Sequence, residues 1–174
     1  MANGATVASI RALLAQSSEA QAALNQLYHQ IFGRDIDAGG ASTYTTALIN
    51  GLSLASVQLV LAQSGEAQAA IQNIYQQVLN RPADGGGLTA YMAAIGNPTV
   101  PVSLSDVRST VAHSSEAATQ LSQLVTNTLH RSTFAAELTG MENEISSDGV
   151  TQQTLQSELL SRNTAGTYTE LNWG

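Results

Sequence analysis

The stretch SSEAQAALNQLYHQIFGRDIDAGG at residues 17–40 decides the fold, because it occurs again further along the chain. A close copy, SGEAQAAIQNIYQQVLNRPADGGG, occupies residues 64–87, and a more distant one, SSEAATQLSQLVTNTLHRSTFAAE, occupies residues 114–137. The copies begin 47 and 50 residues apart, a spacing typical of helical repeats with three helices each. We therefore predict an all-α fold in which three tandem three-helix repeats form a compact helical array, preceded by one extra helix.

The boundaries of the repeats follow from a second set of matching segments. Residues 7–20, VASIRALLAQSSEA, match residues 54–67, LASVQLVLAQSGEA, and more loosely residues 104–117, LSDVRSTVAHSSEA. The chain thus begins with a helix equivalent to the last helix of a repeat. We predict one helical repeat domain at 7–163, with repeats at about 17–63, 64–113 and 114–163 and a C-terminal tail at 164–174. The insertion GNPTVPV at residues 96–102 lengthens the second repeat.

The first helix of each predicted repeat has the clearest signals. Ser17, Ser64 and Ser114 are suited to cap it, and a glutamate follows in its first turn, where a carboxylate favours the helix dipole. Apolar residues then recur at steps of three and four, which indicates one broad apolar stripe. The stripe comprises Leu24, Leu27, Tyr28, Ile31 and Phe32 in the first repeat, Ile71, Ile74, Tyr75, Val78 and Leu79 in the second, and Leu121, Leu124, Val125 and Leu129 in the third.

A turn with an arginine at a fixed offset follows each stripe. In two repeats an aspartate stands three residues later, and we interpret Asp37 and Asp84 as N-caps of a second helix. Gly40 and Gly87 lie in the first turn of that helix, where they would let another backbone approach closely. The third helices are expected to begin at Ser53, at Ser103 and near Thr151. The arginines of this structural turn motif are Arg34, Arg81 and Arg131.

The composition excludes several classes of protein. The chain has 174 residues and a net charge of −7, its six basic residues are all arginine, and charged residues amount to only 11%. Without a basic patch we expect no nucleic-acid partner. No apolar run reaches the roughly 20 residues of a membrane span, and no cleavable signal peptide is visible. A weakly charged surface rich in amides and hydroxyls suits neutral partners such as surface glycans or sister subunits.

The turn GRDIDAGGASTY and its copy NRPADGGGLTAY resemble the core of a bacterial repeat family, the domain of unknown function numbered forty-two fourteen. That family is distantly similar to the linker domain of phycobilisomes. Residues 17–117 match best, whereas the third repeat keeps Arg131 but has Phe134 in place of the aspartate. The matching positions are Tyr28, Gly33, Arg34, Asp37, Gly40, Tyr44, Gly51 and Ser53, and then Tyr75, Arg81, Pro82, Asp84, Gly87, Tyr91 and Ser103.

The resemblance implies a function only in outline. Such repeats occur in exported bacterial proteins, often ones that leave by type I secretion. Similar modules occur in the anchoring regions of S-layer proteins, where they hold surface polysaccharide. The family has no established catalytic residues, so the resemblance transfers none to this chain.

Each candidate site in the sequence has a structural alternative. The Arg34–Asp37 and Arg81–Asp84 pairs either form a binding clamp or brace their turns by bonding helix-end carbonyls and the capping aspartate, and we favour the brace. Asp35 and Asp37 resemble the start of a calcium loop that lacks its final acidic ligand. No metal, catalytic site or cofactor is predicted, since cysteine is absent and the histidines have no paired spacing. Possible contacts to a glycan or partner are Tyr44, Tyr91 and Trp173.

The sequence is consistent with two hypotheses for the function. The first is a non-enzymatic, exported structural or cell-surface attachment module that binds surface polysaccharide or self-associates as a homo-oligomer. It would be extracellular and leave the cell by a route that needs no signal peptide. The alternative is a cytoplasmic helical adaptor or linker that organises protein partners. No constellation of residues supports an enzyme.

Overall fold

The computed structural model describes residues 6–100, 102–147 and 149–164. These residues form ten α-helices and contain no strand, which confirms the all-α prediction. The predicted contacts of Trp173 lie outside the described residues. The helices are α1 (Val7–Ala15), α2 (Ser18–Phe32), α3 (Ala38–Ile49), α4 (Leu54–Ala62), α5 (Gly65–Leu79), α6 (Gly85–Ile95), α7 (Leu104–Ala112), α8 (Ser115–Leu129), α9 (Ala135–Ile145) and α10 (Gln152–Thr164).

The three long helices α2, α5 and α8 begin where the capping serines predict. The side-chain oxygens of Ser17, Ser64 and Ser114 accept hydrogen bonds from backbone N–H groups three residues later, at 3.2, 3.1 and 3.1 Å. Each bond satisfies one of the N–H groups that a helix start leaves without an intrahelical partner. The predicted caps of these helices are therefore confirmed.

The same three helices end in a left-handed residue that reverses the chain direction. Gly33 has φ +68°, and the equivalent positions Asn80 and His130 have φ +50° and +54°. Glycine adopts this conformation without cost and asparagine tolerates it, whereas histidine is less usual there. The arginine of each turn comes directly after the left-handed residue. Its position is therefore set by how the helix stops.

The first compact unit contains Met1–Ala69 and Thr89–Leu104. Within it, α3 packs against α1, α2 and α4, and α2 packs against α4. In α4, the Gln58 amide is buried and donates to the Ile95 carbonyl at 2.9 Å, which fixes this helix against the end of α6. The buried core of the unit includes Leu24, Ile31, Val57, Leu61 and Ile95.

The second compact unit contains Ala70–Leu88 and Ser105–Gly174. Here α8 packs against α9 and α10, and α9 also contacts α10. Because α5 and α6 contribute residues to both compact units, these units do not follow the predicted repeat boundaries, which stay a prediction. The buried core of the second unit includes Ile71, Val78, Leu121, Val125, Met141, Ile145, Leu155 and Leu159.

Among the described residues, no helix combines the length and the apolar character needed to cross a bilayer.

Truncating the stripe of α5 tests the packing of the second unit. Ile71 is fully buried, so Ile71→Ala removes apolar contacts and leaves a cavity. We expect the free energy of unfolding to fall by about 2–5 kcal/mol. Leu160→Ala is the matched control, because Leu160 is 48% exposed and a surface change costs about 0.5 kcal/mol or less. Urea denaturation followed by circular dichroism measures both, and equal losses would contradict the assigned core.

Candidate functional site

The first arginine turn connects the end of α2 to the start of α5. Arg34 donates from Nε and Nη2 to Oε1 of Glu66, at 3.1 and 2.7 Å. Its Nη1 donates to the carbonyl of Asp35 at 2.9 Å, and its Cζ lies 5.1 Å from the centre of the Tyr28 ring. A single guanidinium therefore holds its own turn and the first turn of a later helix.

The second arginine turn repeats this arrangement inside the second compact unit. Arg81 forms a bidentate pair with Glu116, at 2.5 Å from Nε to Oε1 and 2.6 Å from Nη2 to Oε2. It also donates to the carbonyl of Pro82 and lies 5.2 Å from the centre of the Tyr75 ring. The hydrogen bonds to Glu116 raise the pKa of Arg81, and the same bonds lower the pKa of Glu116.

In the third arginine turn, the arginine pairs with a glutamate that is only six residues further along the chain. Arg131 donates to both carboxylate oxygens of Glu137, at 2.8 and 2.7 Å, and Glu137 belongs to the next helix, α9. The Glu137 side chain is only 2% exposed. Its Oε2 also accepts from the backbone N–H of Phe134 at 3.3 Å, at the position where the other repeats have a capping aspartate. A glutamate from within the same repeat thus takes the place of Glu66 and Glu116.

The predicted brace is only partly correct. Asp37 and Asp84 accept from the N–H groups of Gly40 and Gly87 at 2.8 and 2.7 Å, so both N-caps are confirmed. Their carboxylates lie 3.6 and 3.7 Å from the neighbouring arginines. The prediction of bonds to helix-end carbonyls is wrong, because each arginine bonds the carbonyl of the residue directly after it. The glutamate partners were missed.

The role predicted for the two helix glycines needs a correction. A Cβ added at Gly40 would lie 2.6 Å from the Tyr28 hydroxyl, and one added at Gly87 would clash with the Tyr75 hydroxyl. The group that approaches each glycine is therefore a tyrosine side chain from the preceding helix, rather than another backbone. Tyrosine, glycine and arginine together form one packed joint in each of the first two repeats.

The other predicted contacts have different surroundings. Tyr44 and Tyr91 are half-buried, and burial raises the pKa of both phenols. The ring of Tyr44 packs against Tyr28 with centroids 6.2 Å apart. Asp35 accepts from Asn25 at 2.8 Å and lies 2.7 Å from His29 Nε2, contacts that lower its pKa. Across the described ranges, no three acidic or histidine side chains are grouped as a metal site would need.

A groove in the second compact unit was not anticipated from the sequence. It has a volume of about 500 Å³ and lies between the end of α5, α8 and the start of α10. We call it the amide groove, because six of its eight lining residues have side-chain amides. It is lined by Gln76, Gln77, Asn80, Leu124, Thr151, Gln152, Gln153 and Gln156.

Protein contacts fix one end of several amides in this groove. Gln76 Nε2 donates to Asn80 Oδ1 at 3.1 Å, and Gln152 Nε2 donates to the Val78 carbonyl at 2.8 Å. Gln77 Oε1 accepts from the buried guanidinium of Arg108 at 2.6 Å. The other polar atoms of these amides are Gln76 Oε1, Gln152 Oε1 and Gln77 Nε2. None of the three has a partner among the protein residues that the structure describes. The groove therefore offers oriented donors and acceptors with no net charge.

Comparison with protein-family models, with curated proteins and with solved structures gives no match to this chain. The resemblance to the bacterial repeat family therefore rests on the turn motifs and stays a prediction.

Two glycines of one helix test the tyrosine contact. Gly87→Ala should lower the free energy of unfolding by about 1–3 kcal/mol, since overpacking against the buried Tyr75 forces a shift. Gly85→Ala, which has nothing within 4 Å of the added Cβ, should be neutral or stabilising by up to about 1 kcal/mol. Thermal and urea unfolding measure both variants. Tyr75→Phe should recover part of the Gly87→Ala loss, and no recovery would contradict the assigned clash.

Acid should weaken the Arg81–Glu116 pair. The folded-state pKa of Glu116 lies below its ordinary value of 4.5, so its contribution is complete above that value and is lost as pH falls through the folded pKa. Both side chains are more than a third exposed, which limits this contribution to about 1 kcal/mol or less. Glu116→Gln should destabilise at pH 7 and cost progressively less below pH 4.5. Urea unfolding across this range measures it.

The control for this prediction is Glu19→Gln at the same first-turn position of α2. Within the described residues of one chain Glu19 has no arginine partner, so in the monomer its replacement should leave the difference between neutral and acid stability nearly unchanged. An equal pH dependence for the two variants would show that the arginine bond is not its source.

Proposed function

We propose that the chain is a non-enzymatic, exported structural or cell-surface attachment module that binds surface polysaccharide or associates with copies of itself. The observation that carries the glycan-binding part is the amide groove. Its wall contains amides that protein hydrogen bonds already orient. Ligand binding would therefore cost little side-chain conformational entropy. Its lack of formal charge favours a neutral ligand.

A sugar is the ligand whose chemistry fits this wall best. Each hydroxyl group both donates and accepts, and a side-chain amide offers one acceptor oxygen and two N–H donors. A net hydrogen bond contributes about 0.5–1.5 kcal/mol, so one sugar unit in one groove binds weakly. A polysaccharide that engages many protein copies would gain avidity from its repeating units.

The export part of the proposal is supported by composition and by the turn motifs. The lysine-free, weakly charged sequence suits contact with neutral polymers. Cell fractionation tests it: the protein should appear in the medium or in surface washes of its host. Recovery only from the cytosol would favour the adaptor alternative.

The groove itself is tested by nuclear magnetic resonance with chitotriose and an isomaltose oligomer as neutral probes. We expect the side-chain amide signals of Gln76, Gln152 and Gln156 to shift on titration. Gln76→Ala and Gln156→Ala should each weaken binding by about 2- to 12-fold, the value of one hydrogen bond. Gln26→Ala, at an exposed position of α2, is the control. Shifts spread evenly over exposed amides, or variants that bind like the control, would contradict the site.

A further inference from the structure

An exposed apolar surface lies on α1, the first helix of the chain. Its side chains are large, apolar and mostly uncovered: Val7 is 68% exposed, Ile10 45%, Leu13 71% and Leu14 62%. We call these four residues the α1 face. A contiguous apolar surface of this kind on a folded chain is typical of an interaction site.

Two positions of this face are buried in the other short helices, whereas the equivalents of Val7 and Leu13 in α4, Leu54 and Val60, are 39% and 46% exposed. Val57 and Leu61 in α4 correspond to Ile10 and Leu14, and they are 0% and 2% exposed. The helices α2 and α3, which precede α4 in the chain, pack against it. In the described part of the chain only Thr6 precedes α1. Within the part of the chain that the structure describes, Ile10 and Leu14 therefore lack the cover that their equivalents have.

Two charged residues next to this face have no polar partner among the residues that the structure describes. Glu66 and Glu116 each accept from the arginine of an earlier turn, whereas Glu19 is exposed and has no polar partner among the described residues. Arg11 of α1 is exposed as well, and the structure gives it no hydrogen bond or ion pair within those residues. The α1 face therefore lies beside one positive side chain, Arg11, and one negative side chain, Glu19, and neither has a polar partner among the described residues.

The third arginine turn of a second copy is not suited to cover the α1 face. Arg131, the equivalent of the arginines that bind Glu66 and Glu116, is held by Glu137 in its own repeat. Leu155 and Leu159 of α10 fill the positions that correspond to Ile10 and Leu14 and are 1% and 2% exposed. A head-to-tail contact between copies would have to break these interactions. Contact between two α1 faces breaks nothing.

We infer that the α1 face binds the α1 face of a second copy in a twofold dimer. In an antiparallel pair with Leu14 near the axis, Arg11 of one copy lies toward Glu19 of the other, so the same two charges pair twice. A twofold contact uses the same surface on both copies and therefore closes at two. This inference rests on the self-association part of the proposed function and is independent of glycan binding.

Analytical ultracentrifugation without glycan tests the dimer. The wild-type mass should rise from 18.1 kDa toward twice that value between about 1 μM and 1 mM, the range of a small interface. Ile10→Gln with Leu14→Gln should stay monomeric and fold normally, because both residues are exposed. Leu59→Gln, at 45% exposure in α4, is the matched control and should dimerise like the wild type.

Charge reversal gives the sharper test. Arg11→Glu and Glu19→Arg should each raise the dimer dissociation constant by about tenfold or more, because like charges then meet across the axis. An equimolar mixture of the two variants should dimerise again, since each copy then carries the charges that the other needs. Pairing within one chain cannot produce this rescue.

Three results would overturn the inference: a wild-type monomer at all concentrations, dimerisation of the double glutamine variant, or no rescue in the mixture. A monomer in which Leu14→Gln shifts the fluorescence of Trp173 would assign the α1 face to residues 165–174 of the same chain. Because the double glutamine variant keeps the amide groove, it should still bind chitotriose. Loss of the dimer with sugar binding intact separates this inference from the proposed function.

Discussion

The arginine that follows each left-handed helix end is the group on which the surrounding structure depends. Its planar guanidinium packs over an aromatic ring, donates to the carbonyl of its own turn, and donates to a carboxylate of another helix. A lysine ammonium could meet only part of these requirements, because it has neither the flat face nor the fixed fork of donors. The use of arginine alone among the basic residues is consistent with this demand.

Local signals in the sequence were sufficient to predict the helices. Serine and aspartate caps and apolar steps of three and four act over a few residues, so their structural outcome is set locally. The structure confirms the caps at Ser17, Ser64, Ser114, Asp37 and Asp84. The all-α architecture follows from these signals together.

Contacts between distant residues were harder to predict. The insertion at 96–102 places Glu116 three residues further from Arg81 than Glu66 is from Arg34, so no constant spacing marks the pair. The position of each glutamate in the first turn of a helix was already explained by the helix dipole. Its pairing with an arginine was therefore not predicted. The amide groove depends on α5, α8 and α10 converging, and only one of its residues, Leu124, belongs to an apolar pattern that sequence reasoning can follow.

The Arg131–Glu137 pair of the third turn has a consequence for how such a chain can change in length. In the first two predicted repeats, the arginine pairs with a glutamate that lies later in the chain. A duplicated middle segment would therefore contain both an arginine and a glutamate for such pairs. A segment added after the third repeat would instead meet Arg131 already bound to Glu137. An added segment could therefore use the arginine–glutamate connection only after the Arg131–Glu137 pair is broken.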